Sequence, residues 1–143
     1  MKFWDSSAVI ALCVEEPNSA GLRPVLQRDP AMVAWWSTRT ECLSGLLRRS
    51  RERSITARGL ADARAALTAL ADSWVEVQPS ESIRVGAERL LAAHPLRAAD
   101  ALQLAAALVW CGGQTRDAEV VSFDGRLRDA ALREGFSVLP PGA

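Results

Sequence analysis

Four acidic side chains stand where predicted strands end or predicted helices begin, and they are the residues of this chain best placed to do chemistry. Asp5 and Asp124 each follow a short apolar strand, whereas Glu41 and Asp100 fall in the first turns of helices. Carboxylates a few ångströms apart repel each other by several kcal/mol at an effective dielectric of about 20. A cluster of the four would therefore be stable only if it were protonated or bound cations. Because Mg²⁺ and Mn²⁺ prefer oxygen ligands, the pattern predicts a divalent-metal site.

Each acid also has a simpler interpretation. Asp5 could serve only as a helix N-cap, and Asp124, which precedes a glycine, could be an ordinary turn residue. Glu41 could be a solvated acid in a first turn. Asp100 is harder to explain in this way, because it and Gln103 are the only polar residues inside a helix that is apolar nearly all round. A charge on a buried helix needs a partner.

The composition is that of one domain with a substantial core and no net charge. The chain has 143 residues, 49% of them hydrophobic, with 17 basic and 17 acidic side chains. Such a balance gives no long-range field to attract a polyanion, so any nucleic-acid binding must be local. The basic side chains are almost all arginine, since Lys2 is the only lysine, and the planar guanidinium suits phosphate or carboxylate.

The cysteines and the apolar segments predict a cytoplasmic location. Cys13, Cys42 and Cys111 are odd in number and far apart, so they indicate neither a disulfide framework nor a zinc site. The longest apolar run, 104–111, is far too short to span a membrane, and the N-terminus reaches the charged residue Asp5 too soon for a secretory signal. We therefore expect a protein of the reducing cytosol without a membrane segment.

Strand and helix patterns alternate along the whole chain, which favours a parallel sheet covered on both faces. Strands are predicted at 2–4, 32–36, 74–77, 119–122 and 136–139, and helices at 8–14, 19–28, about 38–49, 57–71, 81–93, 98–111 and 125–134. Pro24 should either kink the second helix or delay its start. In sheets of this kind, sites form beyond the carboxyl ends of the strands where the strand order reverses. A strand order of 3-2-1-4-5 would bring all four acids to that edge.

Four short motifs occur in order along the chain. They are Asp5-Ser6-Ser7-Ala8 after the first strand, Thr40-Glu41 followed by Leu46-Leu47-Arg48-Arg49, Ala98-Ala99-Asp100-Ala101-Leu102-Gln103-Leu104-Ala105-Ala106-Ala107, and Val121-Ser122-Phe123-Asp124-Gly125-Arg126-Leu127. Together they resemble the PIN-domain ribonucleases of the VapC toxin class. The resemblance implies a single PIN domain over residues 1–143, with a three-layer α/β/α fold and a parallel sheet of about five strands in the order 3-2-1-4-5. It also implies a Mg²⁺- or Mn²⁺-dependent endoribonuclease, usually a homodimer, that a cognate antitoxin silences.

The resemblance assigns roles to individual residues. The family's four catalytic, metal-binding acids correspond to Asp5, Glu41, Asp100 and Asp124. Ser122 corresponds to a polar position that supports the last acid, and Ser6 is a second supporting residue beside the first. Asp117 and Glu119 compete with Asp124 for the fourth position, although Asp124 is favoured because it follows the strand. The implied reaction is hydrolysis of an RNA phosphodiester by metal-activated water, with one or two cations.

The remaining notable residues have less specific interpretations. Arg39 and Arg97 lie nearest the acids in the sequence and are candidate RNA contacts. The dense run of arginines between 48 and 58 is better explained as an exposed helix end or an antitoxin surface. His94 is interpreted as a loop residue rather than a general base. The tryptophans are attributed to core packing: Trp4, Trp35, Trp36, Trp74 and Trp110.

Three other functions stay open. A metal-dependent phosphatase or a phosphoacceptor signalling domain could place acids at the same edge. By resemblance, a phosphatase of the haloacid-dehalogenase type needs an aspartate at position 7, which is Ser7, and both classes use a lysine near the site. The only lysine, Lys2, precedes Asp5. A PIN-like module could also bind RNA or protein without cutting, and metal binding without RNA cleavage would favour it.

Overall fold

One five-stranded sheet forms the centre of the computed structural model, which describes all residues 1–143, and every neighbouring pair of strands in it is parallel. The strands are β1 (Lys2–Trp4), β2 (Met32–Trp35), β3 (Val75–Val77), β4 (Glu119–Val121) and β5 (Ser137–Leu139). Their order is β3-β2-β1-β4-β5, which confirms the predicted 3-2-1-4-5 arrangement. Phe3 pairs with Val33 of β2 on one side and Val120 of β4 on the other, so the order reverses at β1.

Seven α-helices connect the strands. They are α1 (Ser6–Cys13), α2 (Arg23–Arg28), α3 (Thr38–Arg51), α4 (Ala57–Ser73), α5 (Glu81–Ala93), α6 (Ala98–Trp110) and α7 (Gly125–Arg133). The second predicted helix is divided, because a 3₁₀ turn occupies Ser19–Leu22 and α2 begins beside Pro24. Proline is tolerated in a first turn, where its missing N–H has no partner to lose. No helix here combines the length and the apolar character that a membrane crossing needs.

The helices cover both faces of the sheet, which confirms the three-layer α/β/α architecture. Successive side chains of a strand point to opposite faces. Accordingly, Phe3 and Val33 lie in a buried cluster with residues of α5, α6 and α7. Trp4 and Ala34 lie in a second cluster with residues of α1, α3 and α4. The sheet is therefore buried on both sides, as its parallel strands require.

The tryptophans do not all pack in the core, and the prediction was wrong for one of them. Trp4, Trp35 and Trp74 are buried, and the ring of Trp110 packs against Phe3 with the centroids 6.4 Å apart. Trp36 is 54% exposed. Strand β2 ends one residue before it and the chain then turns into α3, so Trp36 lies beyond the two packed faces of the sheet.

Helices α1 and α3 approach each other closely at Gly45. A Cβ atom at this position would lie 2.6 Å from Cδ1 of Ile10, closer than carbon atoms normally come. The absence of a side chain at 45 therefore lets the two helices pack together. This packing matters for the site, because α1 begins immediately after Asp5 and α3 carries Glu41 in its first turn.

Candidate active site

All four predicted acids lie at the carboxyl edge of the sheet. Asp5 directly follows β1 and Asp124 follows the neighbouring β4, while Glu41 and Asp100 stand in the first turns of α3 and α6. A cleft of about 1020 Å³ opens at this edge. Glu41, Asp100 and Asp124 line it, whereas Asp5 is buried and bonds to Ser6 and Ser7, which do line it. The fold thus brings together residues that are far apart in the sequence.

Asp5 is nearly buried, with 3% of its surface exposed, and is surrounded by hydrogen-bond donors. Its Oδ1 accepts the backbone N–H of Ser7 at 3.0 Å and the hydroxyl of Ser6 at 3.2 Å. Its Oδ2 accepts the hydroxyl of Ser7 at 2.7 Å and that of Ser122. Burial raises the pKa of the Asp5 carboxyl, and the donors oppose this rise because they favour its charged form.

Two serines connect Asp5 to the loop that carries Asp124. The Ser122 hydroxyl donates to Asp5 and accepts the backbone N–H of Asp124 at 3.1 Å. The Ser7 hydroxyl likewise donates to Asp5 and accepts the N–H of Phe123 at 2.9 Å. Because Ser122 is fully buried, these bonds fix the loop after β4 relative to the start of α1.

Glu41 is held by donors from three elements. The hydroxyl of Ser37 donates to Oε2 at 2.5 Å, and the side-chain amide of Gln103 on α6 donates to the same oxygen at 3.2 Å. The Ser6 hydroxyl lies 3.4 Å from Oε1. Burial is the main cause that raises the pKa of Glu41, and the charge of Asp5 adds to it. The donors thus orient the Glu41 carboxylate, while burial and the charge of Asp5 oppose its ionisation.

Asp100 shows that the acids interact electrostatically. Burial raises the pKa of this half-buried side chain, and the charges of Asp124, Asp5 and Glu41 raise it further, to about 6. Asp124 caps α7, because its Oδ1 accepts the N–H of Leu127 at 2.8 Å. The other three acids are therefore near enough to Asp100 to disfavour its ionisation.

No basic side chain neutralises this cluster. Of the arginines that line the cleft, Arg49 pairs with Glu16 at 2.7 Å, and none forms an ion pair with the four acids. The side chains as placed do not bring three acids to one point where they could hold an ion together. Mg²⁺, however, commonly binds through one or two carboxylates and keeps several waters. An all-oxygen donor set with unbalanced negative charge fits such a hard cation.

The other candidate residues divide clearly by position. Ser6 and Arg97 line the cleft, whereas Arg39 is exposed and lies outside its lining, so its RNA contact stays a prediction. His94 bonds to Glu134 at 2.8 Å, away from the cleft lining, in agreement with its interpretation as a loop residue.

The competitors for the fourth acidic position lie at the wrong end of β4. Glu119 begins that strand and pairs with Lys2 at 3.6 Å, and Asp117 lies in the 3₁₀ turn before it. Asp124 is therefore the acid of this segment that reaches the cleft.

Several residues of the site were not predicted from the sequence. Ser7, Ser37 and Gln103 bond to the acids, and only Gln103 gave a signal, as a polar residue inside an apolar helix. Arg48 and Arg126 line the cleft as well. Arg48 belongs to the arginine run, whose interpretation as an exposed helix end or an antitoxin surface stays a prediction.

A doubly wound sheet with acids at the carboxyl edge of β1 and β4 is the architecture of a known family. The model of the PIN domain family matches residues 2–132. The chain therefore belongs to the PIN domain family. A search of curated proteins returned no sequence match.

Solved structures with this fold include proteins from archaea and bacteria. PAE2754 from Pyrobaculum aerophilum has a TM-score of 0.66 and 17% identity, over 96% of this chain and 88% of that one. VapC20 from Mycobacterium tuberculosis, a toxin that cleaves the sarcin-ricin loop, has a TM-score of 0.68 and 18% identity, over 91% of this chain and 95% of that one. FitAcB from Neisseria gonorrhoeae has a TM-score of 0.68 and 15% identity, over 99% of this chain and 98% of that one. At these identities the likeness concerns the fold.

Proposed function

We propose that this PIN domain is a Mg²⁺- or Mn²⁺-dependent endoribonuclease that hydrolyses RNA phosphodiester bonds. One observation carries the proposal: four carboxylates lie in or beside one cleft without a basic partner, and the charges of the other three raise the pKa of Asp100. Structural ion pairs would explain perturbed acids without a function, but these acids form none. The cleft is also polar and open, as a site for an extended polyanion must be.

Asp5, Glu41, Asp100 and Asp124 would hold the cation or cations. A bound divalent cation supplies Lewis-acid chemistry, lowering the pKa of water and stabilising charge on phosphate oxygens. Ser6, Ser7 and Ser122 orient Asp5 and favour its charged form by donating to it. Ser37 and Gln103 do the same for Glu41. Preorganised ligands of this kind do not have to rearrange when the substrate arrives.

Two arginines beside the acids are suited to hold the phosphate that is cut. Arg97 precedes α6 by one residue and Arg126 lies in the first turn of α7, and both line the cleft. Neither side chain has a hydrogen-bond partner within the chain. Lys2, by contrast, is buried at the amino end of β1 near Asp29 and Glu119, so the cleft lacks the lysine that the phosphatase alternative requires.

We also propose that the chain is the toxin of a toxin–antitoxin pair, acting in the cytoplasm as a homodimer that a cognate antitoxin inhibits. The shared fold with the toxin VapC20 supports this biological role. The three free cysteines suit a reducing compartment. Co-expression with a small protein encoded beside this gene tests the pairing: it should restore growth that the PIN domain alone arrests. A neighbouring protein that neither binds nor restores growth would argue against the pairing without affecting the nuclease chemistry.

The nuclease activity is tested by incubating the full chain with single-stranded RNA and Mg²⁺ or Mn²⁺, with and without a chelator. Asp5→Asn and Asp100→Asn should each lower the cleavage rate about 100-fold or more, since even outer-shell changes at metal sites cost about 10- to 100-fold. Asp72→Asn is the matched control, because Asp72 is exposed on α4 and away from the cleft. Cleavage that persists in chelator, or in both site variants, would rule out the proposed mechanism.

A further inference from the structure

We propose that Arg48 binds a backbone phosphate of the RNA at the end of the cleft remote from the acids, so that the strand runs along α3. The proposal rests on the ribonuclease function proposed above. It adds to that function a second anchoring point for the substrate and a direction for the bound strand.

Helix α3 presents one continuous face to the cleft. Glu41, Ser44, Gly45 and Arg48 follow the spacing i, i+3, i+4 and i+7, which places them on one side of a helix, and all four line the cleft. Arg48 is seven positions after Glu41, which is about 10 Å along the helix axis at 1.5 Å per residue. The cleft wall thus leads from the acids to a guanidinium group farther along the same helix.

Arg48 is available to a ligand, whereas its neighbour is not. Arg49 donates through Nε to Glu16 at 2.7 Å and through a terminal nitrogen to the carbonyl oxygen of Gly45 at 3.1 Å. The Arg48 side chain is exposed and forms no hydrogen bond or ion pair within the chain. Of these two adjacent arginines, only Arg48 keeps its full set of donors for an incoming group.

The chemistry of the cleft favours a nucleic-acid backbone over a protein segment. A docked protein segment would need apolar pockets for its anchor residues. Of the 18 residues that line the cleft, only Ile10, Ala99 and Phe123 are hydrophobic. A phosphodiester chain instead offers regularly spaced anions that a guanidinium fork binds well. A strand with one phosphate at the acids would then place a later phosphate near Arg48.

The position of Arg48 predicts how it contributes to catalysis. Arg97 and Arg126 neighbour the acids in the sequence, whereas Arg48 is two helical turns away from Glu41. A contact remote from the reacting phosphate is equally strong in the ground state and the transition state. Such uniform binding lowers KM without changing kcat.

The test compares Arg48→Ala with Arg51→Ala in the full chain. Arg51 ends the same helix, is exposed and does not line the cleft. Binding of a fluorescein-labelled single-stranded RNA of about ten nucleotides, within the usual range of such sites, is measured in chelator at several salt concentrations. Arg48→Ala should weaken binding about five- to tenfold and reduce the slope of log K against log salt by about 0.7, the loss of one phosphate contact. In Mg²⁺, its KM should rise with kcat unchanged.

The outcomes separate this proposal from the nuclease function. Equal affinity and salt slope for the two variants, with wild-type RNA binding intact, would overturn the Arg48 site and leave the nuclease proposal standing. A fall in kcat without a change in KM would also overturn it, because that places Arg48 at the reaction itself. If the wild type binds no RNA in chelator, the comparison of KM in Mg²⁺ decides the Arg48 site, and a wild type that also cuts no RNA in Mg²⁺ would show that both proposals are wrong. Equal melting temperatures of the two variants show that the fold is unaffected.

Discussion

The side-chain amide of Gln103 donates to Oε2 of Glu41 at 3.2 Å and thereby joins α6 to α3. The same nitrogen donates to the hydroxyl of Thr38 at 3.0 Å, and Gln103 is 1% exposed. The amide oxygen of Gln103 has no partner. Burying an amide oxygen without a partner costs free energy. Because the Gln103 amide is buried despite this cost, we interpret its two donated bonds as positioning Glu41.

Gln103→Met should therefore impair the metal site while retaining side-chain volume. We expect kcat to fall about tenfold and the Mg²⁺ concentration for half-maximal activity to rise, as for other partners of metal ligands. Gln103→Glu should be worse, because it places a further negative charge beside Glu41. Titration of activity with Mg²⁺ is the measurement, and Gln114→Met, in an exposed loop, is the control. An unchanged Mg²⁺ requirement in both Gln103 variants would show that the bond has no positioning role.

Ser122→Ala should shift the pH dependence of activity. The Ser122 hydroxyl lowers the pKa of Asp5 by donating to it, so its removal raises that pKa further. Asp5 is then protonated over a wider acidic range, and the acidic limb of the rate profile moves to higher pH. The substitution also leaves the backbone N–H of Asp124 without its acceptor, which should lower the free energy of unfolding by about 1–2 kcal/mol. Cleavage rates across the pH range, with the exposed Ser137→Ala as reference, test this, and superimposable profiles would contradict it.

Asp100→Asn should stabilise the protein at neutral pH when no metal is present. The folded state raises the pKa of Asp100 from 3.8 to about 6, so it binds this proton more tightly than the unfolded state does. The contribution of Asp100 to stability is therefore greatest below pH 3.8, its pKa in the unfolded chain, and is lost as the pH rises to about 6, its pKa in the folded protein. Because Asp100 is only half-buried, we expect a gain of about 1 kcal/mol after solvent screening, or about 3 °C in Tm.

Thermal melts in chelator at low and neutral pH measure the effect of Asp100→Asn, with Asp72→Asn as an exposed control. The gain should be absent at low pH, where both forms are neutral. Mg²⁺ should stabilise the wild type more than the Asn variant, because a ligand that binds only the folded state raises its stability. A destabilised Asn variant at neutral pH would contradict the electrostatic interpretation of the cluster.

Gly45→Ala should destabilise the packing of α1 against α3. The added Cβ would meet the buried end of the Ile10 side chain, Cδ1, at 2.6 Å, and overpacking of about 1–3 kcal/mol should outweigh the gain of about 0.8–1 kcal/mol in helix propensity. Gly86→Ala is the matched control, since its Cβ would lie 3.6 Å from Cβ of Ala105, an ordinary contact. Alanine is the better helix former by about 0.8–1 kcal/mol, so Gly86→Ala should be neutral or stabilising. Urea unfolding compares them, and equal midpoints would argue against close packing at Gly45.

Local patterns were sufficient to predict the strands, most of the helices and the parallel sheet, whereas the strand order 3-2-1-4-5 was what the family resemblance implied. Apolar periodicity identifies elements, and caps such as Asp5 and Asp124 mark where strands give way to helices. The regular alternation of the two element types then predicts a parallel sheet covered on both faces. Trp36 was misjudged because a shift of one residue at the end of β2 decides whether its side chain lies on a packed face.

Contacts between distant residues explain what could not be predicted. Ser122 and Asp5 are 117 positions apart, and Gln103 and Glu41 are 62 apart, so nothing local indicates that they bond. Arg48 and Arg49 are adjacent and chemically identical, yet a glutamate 33 positions away engages only one of them. Side-chain direction, which depends on the assembled fold, decides which polar residues belong to the site.

The hydroxyls and the amide that donate to the acids carry no charge, so they leave the negative charge of the cleft unbalanced. Without cations, its acidic end has the same sign as an RNA backbone and repels it. Divalent cations should therefore enter before the substrate, and RNA should bind more tightly as their concentration rises. Fluctuations in free Mg²⁺ inside a cell would then alter how much RNA the protein captures, independently of how fast each captured strand is cut.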